Sequence, residues 1–161
     1  MKSSLVRKFA VGTILSLLAV GTASAQSMKD QLVGAWSAVS NVEEYADGKK
    51  VAWEGLQGTA MFDAGGRFML MMAEGNRKKV EGNPAMNPVG RMISYFGTYT
   101  INDADKTLTF KIIGASAPIW DGAEQKRVVT TLDASALVLK TLAPIPTPQG
   151  PFTPVVTWKK M

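Results

Sequence analysis

The chain has 161 residues, with 18 basic and 13 acidic side chains and neither histidine nor cysteine. Without these two residue types, Ser-His-Asp and Cys-His catalysis, disulfide bonds, and histidine-dependent metal or haem sites are excluded. Any chemistry would depend on Asp, Glu, Lys, Tyr or Arg, so the composition favours a binding protein over an enzyme and indicates no cofactor.

Residues 1–25 have the pattern of a secretory signal peptide. The segment begins with three basic residues, Lys2, Arg7 and Lys8. An apolar core from Phe9 to Val20 and the small residues Ala23-Ser24-Ala25 follow, as before a cleavage site. The core is shorter than the ~20 residues that span a bilayer, so cleavage is favoured over an uncleaved anchor. We therefore expect one mature domain over 26–161, in the periplasm or outside the cell, with no stable membrane anchor.

The charge of the mature domain is nearly balanced. The predicted leader contains 3 of the 18 basic residues, which leaves 15 basic against 13 acidic side chains. A small net charge of this kind gives no reason to expect a nucleic-acid partner.

Apolar and polar residues alternate with a period of two from Gly34 onward, which predicts half-buried strands. Turn residues separate them, such as Asp47-Gly48 and Gly65-Gly66, at which tight hairpins are favoured. The predicted strands are 35–45, 50–53, 58–63, 67–73, 95–101, 107–113, 124–132, 136–142 and 155–159. Short strands at this spacing indicate an all-β barrel or sandwich.

Two segments interrupt the alternation. Residues 74–94 are polar and contain two prolines, which predicts a surface excursion or a lid over an open barrel end. The proline-rich run from Pro144 to Pro154 predicts an extended crossing segment that stays out of a central strand. The less favoured alternative is a PxxP motif that binds a groove on a partner protein.

The first strand has a tryptophan near its start. In a closed barrel, Trp36 would fill the narrow end, and the last strand, around Trp158, would return beside it. Two basic residues, Lys159 and Lys160, follow Trp158.

Several motifs in order give the mature chain a resemblance to the bacterial lipocalin-like domain proteins. They are Leu32-Val33-Gly34-x-Trp36, Gly58-x-x-x-Phe62-x-x-x-Gly66-Arg67-Phe68, Tyr95-Phe96-Gly97-Thr98-Tyr99, Pro118-x-Trp120-x-Gly122, Leu137-x-Leu139 and Val156-x-Trp158. The resemblance implies a small antiparallel, up-and-down barrel of about eight strands that binds a small apolar molecule. It also implies that Lys159 or Lys160 lies across the Trp36 ring in a cation–π contact, as a basic residue does at the closed end of lipocalins. Family members often have histidines where this chain reads Thr109-Phe110-Lys111, so no histidine-dependent role is expected here.

Gln125 and Arg127 are the first candidates for ligand contact. They lie two residues apart, on the same strand face as Val129 and Thr131. An arginine inside an apolar barrel requires a partner, either a carboxylate on the ligand or an internal Asp or Glu. The opposite face also has a charge, Lys126, so periodicity leaves open which face points inward.

Apolar and aromatic side chains are the remaining candidates. The strand at 68–72 is apolar on both faces, and methionine suits an adaptable cavity wall. We expect ligand contacts, or alternatively ordinary core packing, for Met69, Met71, Tyr95, Tyr99, Phe110 and Trp120.

The leading hypothesis is an exported lipocalin-like protein that holds a small hydrophobic molecule, with or without a carboxylate. One alternative is an envelope protein-interaction domain without a small ligand. The other is an isomerase- or cyclase-type barrel enzyme, in which Tyr95, Tyr99, Asp121 and Arg127 would form a proton-transfer set.

Overall fold

The computed structural model describes residues 26–82 and 90–161. The predicted leader, and the part of the 74–94 excursion from 83 to 89, lie outside the described residues. Within them, a short helix α1 (Met28–Leu32) precedes the strands, and the Ser27 side chain caps it by accepting a hydrogen bond from the Asp30 N–H. No helix in the described part of the chain is long and apolar enough to cross a membrane.

All nine predicted strands are present. Their bounds are β1 (Gly34–Tyr45), β2 (Lys50–Ala52), β3 (Gln57–Phe62), β4 (Arg67–Ala73), β5 (Met92–Asn102), β6 (Thr107–Ala115), β7 (Glu124–Leu132), β8 (Ala136–Thr141) and β9 (Phe152–Lys160). A 3₁₀ turn at Pro118–Trp120 separates β6 from β7.

The strands form one antiparallel sheet that closes on itself. Neighbours from β3 to β9 pair in chain order, and β9 pairs with β1 along most of its length. The other edge of β1 is shared, because β3 pairs with its first residues and the short β2 with its last ones. Apart from β2, the described strands therefore make an eight-stranded up-and-down barrel, and the predicted fold class is confirmed.

The proline-rich run departs from its prediction. It was expected to stay outside a central strand, but β9 begins at Phe152 and includes Pro154. Pro154 is opposite Glu43 of β1, whereas the pairing of β9 with β8 ends at Val155. The proline is tolerated because the strand is paired on only one side at that point.

Trp36 closes one end of the barrel, as predicted. Its side chain is fully buried, and its indole N–H donates to the Leu32 carbonyl at 2.8 Å. The Lys160 ammonium lies 4.7 Å from the Trp36 ring centroid and donates to the carbonyls of Gln31 and Val33, at 2.6 and 2.7 Å. The polar groups at this end thus find their partners within the protein.

An aromatic cluster fills the interior next to this end. Phe68 and Phe110 have ring centroids 4.5 Å apart, and Phe62 contacts both of them. The Tyr99 ring meets Phe62 edge-on at 5.3 Å. Rings packed in this way leave little internal space, so room for a ligand must lie toward the other end.

Candidate ligand-binding site

A cavity of about 510 Å³ occupies the other end of the barrel. This volume lies within the range of about 300–1,000 Å³ that is usual for small-molecule sites. Most of the wall is apolar, and its main contributors are Leu70, Met72, Ile93, Leu139, Val156 and Trp158. The interior of the barrel is therefore only partly filled by its own side chains.

Strand β7 contributes residues 125–127 to the wall of this cavity. Gln125 and Arg127 both line it, and Val129, on the same face, is buried. A bulge in the β7–β8 pairing lies between Val129 and Thr131 and reverses which residues of β7 point inward after it. Thr131 is therefore exposed, although strict alternation would place it on the same face as Val129. Alternation alone left open which face of β7 points inward. In the structure it is the face that contains Arg127.

Arg127 has neutral partners. Its guanidinium donates to the Gln125 side-chain oxygen and, at 3.1 Å, to the Lys126 carbonyl. In the described residues no carboxylate lies within 4.0 Å of it. No nearby carboxylate of the described chain therefore balances the guanidinium, which lies at the wall of a mostly apolar cavity.

The Tyr95 hydroxyl faces the same guanidinium. Burial raises the pKa of the Tyr95 phenol, and the nearby Arg127 charge offsets only part of this rise. The phenol is therefore neutral near pH 7 and can donate a hydrogen bond. Trp120 packs edge-on against Tyr95 at 5.8 Å and also lines the cavity.

The prediction that Met69 and Met71 line the interior is wrong. Their exposed fractions are 54% and 47%, whereas Leu70 and Met72, between and after them, are buried and line the cavity. Because both faces of β4 are apolar, alternation could not determine which face is inside.

Tyr99 and Phe110 are inside the barrel but not at the cavity. Phe110 is fully buried in the aromatic cluster, and the Tyr99 hydroxyl donates to the Asp63 carbonyl at 2.7 Å near the closed end. Of the eight residues predicted to contact a ligand, four line the cavity: Tyr95, Trp120, Gln125 and Arg127.

The four residues of the proposed catalytic set do not come together. Tyr95 and Arg127 are neighbours in the cavity, but Tyr99 is at the closed end. The Asp121 carboxylate is on the surface, where it accepts the backbone N–H of Ala115 at 2.9 Å. The geometry therefore provides no basis for the predicted proton-transfer set.

Sequence reasoning missed a polar cluster around Glu43, which also lines the cavity. This buried carboxylate accepts hydrogen bonds from Trp53 Nε1 at 3.2 Å, the Tyr45 hydroxyl at 3.2 Å and Arg91 at 2.9 Å. The Arg91 guanidinium also lies over the Trp53 ring, 5.9 Å from its centroid. Glu43 is thus fully engaged with partners other than Arg127.

A bulge explains why Glu43 was missed. Trp36 points inward, but the β1–β9 pairing shifts between Ala38 and Ser40, after which Asn41 and Glu43 are the buried positions. A strict period of two counted from Trp36 would place Asn41 and Glu43 outside. The polar Asn41-x-Glu43-x-Tyr45 spacing was the available signal.

Three residues of the wall have a polar atom without a hydrogen-bond partner among the described residues. These atoms are Asn41 Oδ1, Thr141 Oγ1 and Trp158 Nε1. Thr141 is the direct cross-strand neighbour of Arg127. The wall therefore has hydrogen-bonding capacity that the described protein groups do not use.

A family model agrees with this architecture. The model of the lipocalin-like domain family matches residues 33–161. Among solved structures, the chain is similar to a lipocalin-like protein from Bacteroides uniformis, with 16% identity, a TM-score of 0.49, and coverage of 81% of this chain and 99% of the other. No curated protein matches the chain significantly. With the family model covering almost the whole barrel, the chain belongs to the lipocalin-like domain family.

Proposed function

We propose that the barrel binds one small amphipathic molecule, whose acidic group contacts Arg127 and whose apolar body fills the cavity. The observation that supports this most directly is a guanidinium at the wall of the cavity with no carboxylate beside it in the described structure. An ion in apolar surroundings is costly unless it is paired, and a carboxylate matches the two-pronged geometry of arginine.

Among the described residues, one acidic side chain lies at the cavity wall, and it does not neutralise Arg127. Glu43 is hydrogen-bonded to Trp53, Tyr45 and Arg91. The positive charge of Arg127 is therefore available to a ligand, and the neutral phenol of Tyr95 can donate a second hydrogen bond to the same acidic group.

The remaining wall suits an alkyl or ring body. Leu70, Met72, Leu139 and Val156 provide apolar surface, and the unbranched Met72 can adjust to different shapes. Burial of each CH₂ group contributes about 0.8 kcal/mol, so a body of several carbons supplies most of the affinity while Arg127 sets the orientation.

We also propose that this binding takes place outside the cytoplasm, on the basis of the leader pattern at 1–25. Expression of the full chain in a bacterium tests this part separately. N-terminal sequencing should find a protein that begins at Gln26 in the periplasm or medium, and an uncleaved chain in the cytoplasm would contradict it.

The binding proposal is tested by titration with a fluorescent fatty acid and by its displacement with decanoic acid. Saturable binding of one molecule per chain is expected. Arg127→Met, which keeps the apolar stem, should weaken decanoate binding about 10- to 150-fold, the equivalent of about 1.5–3 kcal/mol for hydrogen bonds to a charged group.

Lys111→Met is the matched control, because Lys111 is an exposed cation on the neighbouring strand β6. It should leave the affinity unchanged. Equal weakening in both variants would show that only general charge attraction is involved, and absence of saturable binding in the parent protein would refute the carrier function itself.

A further inference from the structure

Three methionines occupy the outer surface of the barrel, away from the cavity. Met61 on β3 has an exposed fraction of 50%, and Met69 and Met71 on β4 have 54% and 47%. The water-facing side of an antiparallel sheet is ordinarily polar. These positions instead present thioethers, for which the ligand cavity gives no reason.

The strand register brings the three side chains together. Met61 lies directly opposite Met69, and Met71 is two residues further along β4 on the same face. Directly opposite Cβ atoms in a sheet are about 4.5–5.5 Å apart and diagonal neighbours about 7–8 Å. Methionine is long and unbranched, so the three sulfur atoms can reach a common point above the sheet.

The neighbour of Met69 on the other side leaves this space open. Phe96 of β5 is opposite Met69, but its ring lies over Gly114 of β6, where a Cβ atom would be only 2.9 Å from ring carbons. Phe96 therefore leans away from β3 and β4. The thioethers of Met61, Met69 and Met71 are left facing one another across the β3–β4 pair.

We propose that Met61, Met69 and Met71 form a binding site for one soft monovalent metal ion, Cu(I) or Ag(I). Thioether sulfur is a soft ligand that selects such ions over hard ones. The chain contains no cysteine or histidine, so no stronger soft ligand competes elsewhere in it.

The surroundings disfavour other metals. The outer-face neighbours in register, Ala35, Thr59 and Ser94, have no carboxylate for Ca²⁺ or Mg²⁺. Arg67, two residues before Met69, repels a divalent ion more than a monovalent one. Within the described residues, no group of three His, Cys, Asp or Glu side chains is placed to hold a metal.

The site is tested with protein labelled with ¹³C at the methionine methyl groups and titrated with Ag(I). The methyl signals of Met61, Met69 and Met71 should shift together and stop at one equivalent. Cu(I) affinity is measured without oxygen, by competition with a chromogenic Cu(I) chelator, and Zn²⁺ should cause no shift. Shifts spread over all exposed methionines would overturn the proposal.

Leucine substitutions test whether the metal ion binds to the cluster or to any single exposed thioether. Met69→Leu nearly conserves volume at a half-exposed position, and should lower Cu(I) affinity at least about tenfold, since even outer-shell changes alter metal affinity by that much. Met161→Leu removes a single thioether that is 77% exposed and should have no effect. Equal affinities in the two variants would refute the site. Decanoate binding should be unchanged in both, so this result is independent of the carrier proposal.

Discussion

The two ends of the barrel treat a half-buried cation in opposite ways. At the closed end, the Lys160 ammonium has two backbone carbonyls and the Trp36 ring as partners. At the open end, Arg127 has only neutral partners within the described chain and faces a cavity of about 510 Å³. The closed end is satisfied by the protein itself, whereas under the carrier proposal a bound acidic group completes the open end.

This contrast separates stability from function along the barrel axis. Packed rings and paired groups near Trp36 should determine the free energy of unfolding. The cavity residues should contribute less to it, because the cavity leaves their side chains incompletely packed. Under the carrier proposal they determine affinity instead.

The largest expected effect is at the closed end. Trp36→Ala removes a fully buried ring and should lower the free energy of unfolding by about 3–5 kcal/mol. Urea unfolding followed by circular dichroism measures this loss. A loss below about 1 kcal/mol would show that Trp36 does not anchor this end.

Strand β8 offers a matched pair of leucines. Leu137 is fully buried opposite Trp158, whereas Leu139 lines the cavity. Leucine-to-alanine changes cost about 2–5 kcal/mol according to how much packing is lost, so Leu137→Ala should be near the upper limit and Leu139→Ala near the lower one. Equal losses of unfolding free energy would contradict the difference in packing between the two ends.

The two cations provide the next comparison. Lys160→Met removes hydrogen bonds to two carbonyls and a cation–π contact, and should destabilise the protein by about 1–2 kcal/mol. Arg127→Met removes a charge that lacks a carboxylate partner, so stability should stay within about 0.5 kcal/mol or increase. Thermal unfolding of both variants without ligand measures these changes in stability. A larger loss for Arg127→Met than for Lys160→Met would contradict the assignment of Lys160 to stability and of Arg127 to binding.

The smallest effect concerns pH. Burial raises the pKa of Tyr95 in the folded protein, so the phenol keeps its proton while that of the unfolded chain, with a pKa of about 10, loses it. The folded state then binds more protons, and stability is lost as the pH rises above about 10. Tyr95→Phe should reduce this loss in urea titrations at alkaline pH. An identical pH dependence in the variant would contradict the burial of the hydroxyl.

Sequence patterns predicted the fold well because strand alternation and turn residues are local signals. The nine strands and the burial of Trp36 follow from them. The contact of Lys159 or Lys160 with Trp36 was implied by the family resemblance, and Lys160 makes it. The site was harder to predict, because the residues that line it depend on which positions of each strand point inward. Bulges near Val39 and Thr130 change which residues point inward, and β4 is apolar on both faces. Arg127 was found because a charge on a strand face requires an explanation, whereas Glu43 and Met72 required the register.

The most direct test compares decanoate with decanol in the parent protein and in Arg127→Met. The two ligands share an alkyl chain and differ in the charged group, so the ratio of their affinities isolates the contact with the guanidinium. We expect decanoate to bind more tightly than decanol to the parent protein, and this preference to fall at least about tenfold in the variant. A ratio that is the same in both proteins would contradict the proposal that Arg127 receives the acidic group of a ligand.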